Sequence, residues 1–489
     1  MNVKKRDIVL FILFAFLIGL LGAYIGLKLF ESQVQPKLSS ERIEIGSNNK
    51  ETDEDLDTEM EKVKQVYELI DKNFIEDVEE GQLIEGAIDG MLETLDDPYS
   101  SFMTSEATER FNEQIESSFQ GIGAEVSMVE GKVTIVAPIK GSPAEDAGLR
   151  PNDQILQVDE EDLDGLNLNE AVEKIRGEKG SEVTLLVERK GSSEPFEVEL
   201  VRDDIPIETV YTETEDIDEK KTGIVEIRTF SETTASEFTE AITTLEEDGI
   251  EGLVIDVRGN PGGLLDSVEE ILYEFIPSDI PYLQIEDGEG NKEEHYSDLD
   301  EKKPYPINII IDEGSASASE ILAVALKEIG YDTVGMTSFG KGTVQQAVPI
   351  GDKKAGNTLK LTFFKWLSPK GNWINEVGVE PTVEQEQPPF FYANPIQVKE
   401  PFTYDQTDEH IKNAQIMLKG LGFDPEREDG YFDKQTEEAV RNFQSDHDLE
   451  VTGEIDEKTA GQIELEVVEI IRSKDQDLQL QKALEVLYK

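Results

Sequence analysis

The sequence predicts a multidomain α/β protein: a layered strand–helix core, a smaller strand-rich domain ahead of it and a small helical module behind it. Three observations lead there. The chain has 489 residues, more than one hydrophobic core ordinarily serves. Its apolar pattern changes period along the chain: helical first, alternating between Phe119 and Arg202, then mixed strand and helix from Gly223 to Thr382. A Pro- and Gln-rich stretch, Gln385 to Glu400, then sets off the C-terminal part as a linker would.

Taken in order, residues 1–30 read as a cytoplasmic tip and transmembrane anchor. Lys4, Lys5 and Arg6 precede the apolar run Ile8 to Leu27, long enough as a helix to span a bilayer. The basic flank keeps the N-terminus cytoplasmic and places the remainder outside, with the lipid bilayer as a partner. The run is longer than a signal-peptide core and no small-x-small cleavage site follows, which favours an uncleaved anchor. Residues 31–62 read as an acidic stalk, with six acids between Glu51 and Met60. Residues 63–118 form a helical region, from the spacing of Val66, Leu69, Ile70 and Phe74 and then of Leu83, Ile84, Ile88, Met91 and Leu92.

Residues 119–204 alternate as strands at Ile122–Val129, Val133–Val136 and Val183–Val187, with helical pieces at Pro143–Ala147 and Asn169–Ile175. Residues 205–384 are the α/β core. Its strands are Ile224–Ile227, Gly252–Val257, Asn308–Ile311 and Thr358–Phe364, joined through Gly-containing loops to helices such as Leu265–Phe275. A linker (385–404), a helical module (405–465) and a terminal helix (466–489) complete the chain. That helix, read as Glu464–Leu487, packs on the body or on a second subunit; it and the helices around Phe74 to Leu92 are the candidate contacts of a homodimer.

Composition narrows the chemistry. With 107 acids against 45 bases, the net charge of −62 repels phosphate backbones and disfavours nucleic acid as a partner. Dense surface carboxylate suits a protein working outside the cytoplasm. The chain has no cysteine, which removes disulfides, thiol nucleophiles and thiolate metal sites. Its three histidines are His295, His410 and His447, too few and too scattered for a multi-histidine metal site. No metal or organic cofactor is implied.

The phrase "GSPAEDAGLRPNDQILQVDEEDL", Gly141 to Leu163, resembles a PDZ domain. That resemblance implies a peptide-binding loop at Phe119, Gln120, Gly121, Ile122 and Gly123, whose N–H groups receive a terminal carboxylate while the peptide adds as a strand. "EDGYFDKQTEEAVRNFQSDHDL", Glu428 to Leu449, and the following "TGEIDEKT" resemble the small peptidoglycan-binding domain and imply peptidoglycan as a partner.

Chemistry concentrates in "GSASASE" and "FGKGTVQ". With "RGNPGG" ahead of them, the stretch Phe74 to Val383 is similar to the C-terminal processing peptidases, serine proteases with a PDZ domain beside an α/β catalytic core. The resemblance implies Ser317 as nucleophile, Lys341 as base and Gln345 as the residue that orients the lysine. The serine-to-lysine spacing, 341 − 317 = 24, is one residue shorter than the family's, so Ser315 and Ser319 stay open as the serine. It also implies oxyanion donors at Ala318 and at Gly262 or Gly263, a PDZ–protease coupling residue at Arg176 that could reach Gln345, and protein substrates with accessible C-terminal tails.

The physics is consistent: serine needs a base, no histidine lies near a motif, and lysine serves only when burial keeps it neutral. Phe339 and Val344 are the candidate apolar surround. A helix beginning near Ser319 would aim its N-terminus at the oxyanion. Alternatives from other classes are a catalytically silent PDZ scaffold between membrane and wall, and a wall-cutting enzyme. The second lacks zinc ligands or a cysteine–histidine pair.

Overall fold

A computed structural model describes residues 53–79, 81–129, 131–190, 194–351 and 356–489. The apolar run Ile8–Leu27 lies outside them, as does most of the stalk. Among the described residues no helix is long and apolar enough to cross a membrane. Among the described residues, those up to Ile88 form one unit and those from Asp89 onward another.

In the first unit, the run expected to be an acidic stalk is helical from Asp53: one helix spans Asp53–Asn73. Within it Lys62 pairs with Glu59 one turn away. Leu56, Met60, Val63, Val66 and Leu69 of this helix are exposed.

The second unit is built on a six-stranded sheet in the order Val210–Ile217, Lys220–Ile227, Gly252–Asp256, Ile307–Ile311, Asp332–Gly335 and Val383–Glu384. The first pair is antiparallel and all later pairs are parallel. Leu253, Val254, Ile255, Ile309, Ile310 and Ile311 are fully buried, the continuous apolar run expected of strands covered on both faces. Helices Thr234–Glu247, Leu265–Leu272 and Ala318–Glu328 contribute to the core on one face. Because Gly252–Asp256, Ile307–Ile311 and Asp332–Gly335 are parallel neighbours, the loops after them leave at the same edge. Those loops carry "RGNPGG", "GSASAS" and "SFGKG". A second, five-stranded sheet includes the hairpin Thr343–Pro349 and Thr358–Leu367, and thereby holds the segment after Lys341.

The domain ahead of the core has its own six-stranded sheet and its own core around Ile135, Ile155, Leu185 and Val187. Strands Gln154–Val158 and Phe196–Val201, which the alternation did not resolve, complete it. Its outermost strand on one side is Ala124–Val129. Helix Leu168–Ile175 begins with a full capping box between Asn167 and Glu170.

The terminal helix expected over Glu464–Leu487 is two helices. Glu457–Ser473 belongs to the small C-terminal core with Phe432 and Phe443, while Leu478–Leu487 packs on the other face of the main sheet. Lys474 in a left-handed conformation ends the first, and Asp477 caps the second by accepting from the Leu480 N–H. Leu480, Ala483, Leu484 and Leu487 are buried there against this chain's own Ile224, Val254, Ile310 and Val334. They are therefore not available as a contact for a second subunit.

Candidate active site

Ser317 is the residue immediately before helix Ala318–Glu328, one position earlier than the expected start. Its φ of 54° and ψ of −112° lie where a residue with a Cβ is strained, so the surroundings must hold it. They do. The Glu320 carboxylate accepts from the Ser317 N–H at 2.8 Å, and the Ala316 N–H donates to the Asn260 carbonyl at 3.0 Å. The two alternative serines are already committed. Ser315 Oγ donates to the Val257 carbonyl at 2.7 Å and Ser319 Oγ to the Asn260 carbonyl at 2.9 Å, and both residues are fully buried. Ser317 instead faces a cavity of about 490 Å³ that Ala318, Gly262, Gly263, Lys341 and Gln345 also line.

Glu320, which the sequence reading passed over, joins the serine and lysine loops. It is fully buried, and besides Ser317 it accepts from Ser338 Oγ at 2.6 Å and from the N–H groups of Gly340 and Lys341 at 2.7 and 2.8 Å. The signal was present: Ser317-x-x-Glu320 is the spacing of a capping box, in which the residue at the third position accepts from the cap's N–H.

Lys341 is lowered from the ordinary lysine value of 10.5, first by burial and then by the like charge of Lys360, while Asp97 and Glu320 act in the opposite direction. Its ammonium nitrogen lies 4.9 Å from the centre of the Tyr99 ring, and its carbonyl accepts from Trp366 Nε1 at 2.8 Å. Of the two residues expected to surround it, Val344 lines the cavity, but Phe339 is 57% exposed and does not. It is Tyr99, far away in sequence, that stands against the lysine nitrogen. Ser317 Oγ and Lys341 Nζ are not hydrogen-bonded to each other.

Gln345 shares the cavity, yet its Nε2 donates to Thr343 Oγ1 at 2.9 Å and Thr362 Oγ1 at 3.0 Å rather than engaging Lys341. A register shift between Val344 and Gln345 turns the strand there.

The glycine loop is drawn tight by Asn260, whose Nδ2 donates to the Ile227 carbonyl at 2.8 Å and whose Oδ1 accepts from the Gly262 N–H at 2.8 Å. That engagement removes Gly262 as a donor and leaves the Gly263 N–H, which has no acceptor among the described residues. A Cβ at Gly262 would stand 2.8 Å from the Ser317 Cβ and 3.0 Å from the Ala318 nitrogen, so the loop lies directly on the serine turn. Gly263, at φ 152°, has even less room: a Cβ would fall 1.9 Å from the Phe230 carbonyl oxygen. Gly263→Ala is expected to lower kcat/KM for a peptide substrate by about a hundred-fold, the order of loss produced by an ångström-scale misplacement. Steady-state assay checks this, and an unchanged value would remove the loop from the site.

Arg176 does not reach Gln345. Its guanidinium lies 4.8 Å from the centre of the Phe119 ring and 3.3 Å from Glu113 Oε2. Glu113 is on helix Ser105–Glu116, whose Phe111, Gln114 and Ile115 line the same cavity as Ser317. Of the other peptide-loop residues, Gln120 Oε1 accepts from the Lys179 N–H at 3.2 Å, Ile122 is buried, and Gly121 lies beside Arg176. Gly123, at φ 74°, donates no room: a Cβ would meet that of Ser142 at 2.3 Å.

Known proteins match the chain in sequence. Residues 221–385 match Peptidase family S41, residues 16–107 the activating protease CtpB N-terminal domain, residues 134–189 a PDZ domain and residues 407–463 a putative peptidoglycan binding domain. The chain is 49% identical over 473 residues to the carboxy-terminal processing protease CtpB of Bacillus subtilis, covering 96% of this chain and 97% of that protein. It is 39% identical over 434 residues to the carboxy-terminal processing protease CtpA of the same organism, covering 88% and 91%. To a probable CtpA-like serine protease of Staphylococcus epidermidis it is 35% identical over 419 residues, covering 85% and 84%. With identity sustained along nearly its whole length, the chain belongs to the carboxy-terminal processing proteases of peptidase family S41.

Proposed function

We propose that this protease works by a Ser317–Lys341 dyad, is held to the membrane by Ile8–Leu27 with its catalytic part extracytoplasmic, and cleaves proteins near their C-termini. The observation that carries the dyad is the single cavity that collects Ser317, Ala318, Gly263 and a lysine lowered by burial.

In this reading neutral Lys341 Nζ takes the Ser317 Oγ proton as Oγ bonds to the substrate's carbonyl carbon. The carbonyl electrons move onto its oxygen, which the Ala318 and Gly263 N–H groups and the N-terminus of helix Ala318–Glu328 stabilise. The intermediate collapses with loss of the amine, which receives the proton from Lys341, and water then releases the acyl group by the same steps. Because Lys341 rests on Tyr99 and Gln345 on its threonines, the arrangement is that of a resting site. Lys341 leaves the ring, and Gln345 turns to orient it, when substrate enters.

The PDZ domain recognises the tail, at the loop Phe119–Gly123 and along the open edge of strand Ala124–Val129. Arg176 couples it to the protease through Glu113 and the cavity-lining helix rather than through Gln345. The C-terminal module holds peptidoglycan, and the helical region around Phe74 to Leu92, where Phe74, Ile84 and Met91 are exposed, serves a homodimer.

A fluorophosphonate probe tests the nucleophile. Labelling of the wild-type chain is expected, with none on Ser317→Ala. Equal labelling of both, or of neither, overturns the dyad and would favour the silent scaffold in the second case.

A further inference from the structure

The chain leaves the core sheet at Val383–Glu384, builds the module matched at residues 407–463, and returns to the core with helix Leu478–Leu487. The return is closely fitted. Asn308 Nδ2, on a buried core strand, donates to the Ala483 carbonyl at 2.7 Å, and Tyr488 OH lies 2.7 Å from Thr222 Oγ1. Gly252 begins the neighbouring strand, and a Cβ there would meet the Tyr488 hydroxyl at 2.4 Å.

At the start of this helix, Asp477 meets Arg258, the first residue of the glycine loop. Asp477 Oδ1 accepts from Arg258 Nη1 and Oδ2 from Nη2, both at 2.8 Å. Asp256 takes Arg258 Nε at 2.9 Å and Nη2 at 2.6 Å, and Gln479 Oε1 takes Nη1 at 3.2 Å. These bonds use all five donors of the guanidinium, and its fork geometry makes the two-carboxylate clamp directional. Side-chain exposure is only 16% for Arg258 and 6% for Asp477. Burial alone would raise the Asp477 carboxyl, yet its bonds to Arg258 hold it below the ordinary aspartate value. Gln387 Nε2, from the linker ahead of the module, donates to the same Oδ1 at 2.7 Å.

The next residues of the loop are tied just as tightly to the serine turn: Gly259 N–H donates to Asp312 Oδ1 at 2.8 Å, and Asn260 receives the Ala316 N–H. A chain of hydrogen bonds and loop backbone therefore runs from the N-cap of the C-terminal helix, through Arg258, to Gly263 beside Ser317.

We propose that Asp477 is a positioning residue for the cleavage reaction: by clamping Arg258 it sets the glycine loop, so that the Gly263 N–H points at the oxyanion. The segment that follows the C-terminal module thus completes the protease. This deepens the Ser317–Lys341 reading and rests on it.

The test uses the full chain carrying Asp477→Asn, which keeps an oxygen acceptor for the Leu480 N–H and removes the charge, and Asp477→Ala. Three quantities are read: kcat and KM on a tail peptide, the rate of fluorophosphonate labelling, and the melting temperature. The expected result is a kcat at least ten-fold lower with KM within two-fold, a parallel fall in labelling rate, and a melting temperature that stays above the assay temperature. A merely structural role would lower the melting temperature and leave kcat per folded molecule within two-fold of wild type, and that outcome overturns the proposal. So does failure of both variants to fold, which would make Asp477 a stability residue. Ser317→Ala run alongside separates the two readings: labelling that survives in it counts against the dyad, whatever the Asp477 variants do.

Discussion

Lys341→Ala is expected to lower kcat for peptide cleavage by at least a hundred-fold, the usual worth of a positioned general base, with KM for the tail peptide within about two-fold. Binding of the tail is assigned to the PDZ edge and loop, away from Lys341, so the loss belongs to the chemical step. The wild-type rate should rise with pH as Lys341 loses its proton, with a midpoint below the ordinary 10.5, because burial and Lys360 both disfavour the charged form. Lys360→Met removes a like charge and should move that midpoint up; Asp97→Asn removes an attraction and should move it down. Stability has a definite sign here. Between the folded Lys341 value and 10.5 the unfolded chain holds a proton that the folded chain lacks, so stability rises with pH across that window. Below it the buried charge is a constant penalty, and Lys341→Ala is not expected to lower the melting temperature at neutral pH. A variant keeping more than a tenth of wild-type kcat would exclude Lys341 as the base.

Glu320→Gln is expected to lose both activity and stability. The carboxylate presents one oxygen to Ser338 Oγ and the Gly340 N–H, and the other to the Ser317 and Lys341 N–H groups. In either orientation a glutamine turns its NH₂ toward at least one of those backbone donors, in a place fully closed to water. Each buried donor left without an acceptor costs about 1–3 kcal/mol. The strained φ at Ser317 also loses its support. Since Ser317 and Lys341 shift relative to each other, kcat should fall by about a hundred-fold or more. Urea unfolding and steady-state kinetics check both. Activity within ten-fold of wild type, with stability within about 0.5 kcal/mol, would mean that the two loops hold their places without the carboxylate.

The distance over which each interaction acts explains what could be read from the linear chain. The change from alternating to mixed spacing near Gly223 marks the core because period follows from strand and helix geometry alone. "RGNPGG", "GSASASE" and "FGKGTVQ" were legible as loops because glycine and serine mark turns locally. Arg176 was legible as the end of its helix, but its partner was not. The guanidinium takes Glu113 and Phe119, which are set beside it by the pairing of Ser118–Gly121 with Asp203–Pro206. The terminal helix was read as continuous because its apolar spacing runs on past Lys474, and spacing does not register a left-handed cap.

The sequence by itself determined the family and the α/β class, since both rest on the order and local spacing of its motifs, while Ser317 and Lys341 entered as what the family resemblance implies. Only the tertiary structure decided which of three neighbouring serines stays free, and which of two glycines keeps its N–H. It alone placed Glu320 between the serine and lysine loops, Tyr99 against Lys341 and Asp477 against Arg258. The physical reason is that a buried donor or charge is satisfied by whatever the sheet order brings beside it. Parallel neighbours deliver three loops to one edge, and the C-terminal helix closes the opposite face of that sheet with Asp477 against Arg258. Asp477 and Arg258 lie 219 residues apart in the chain, too far for any periodicity or motif to record.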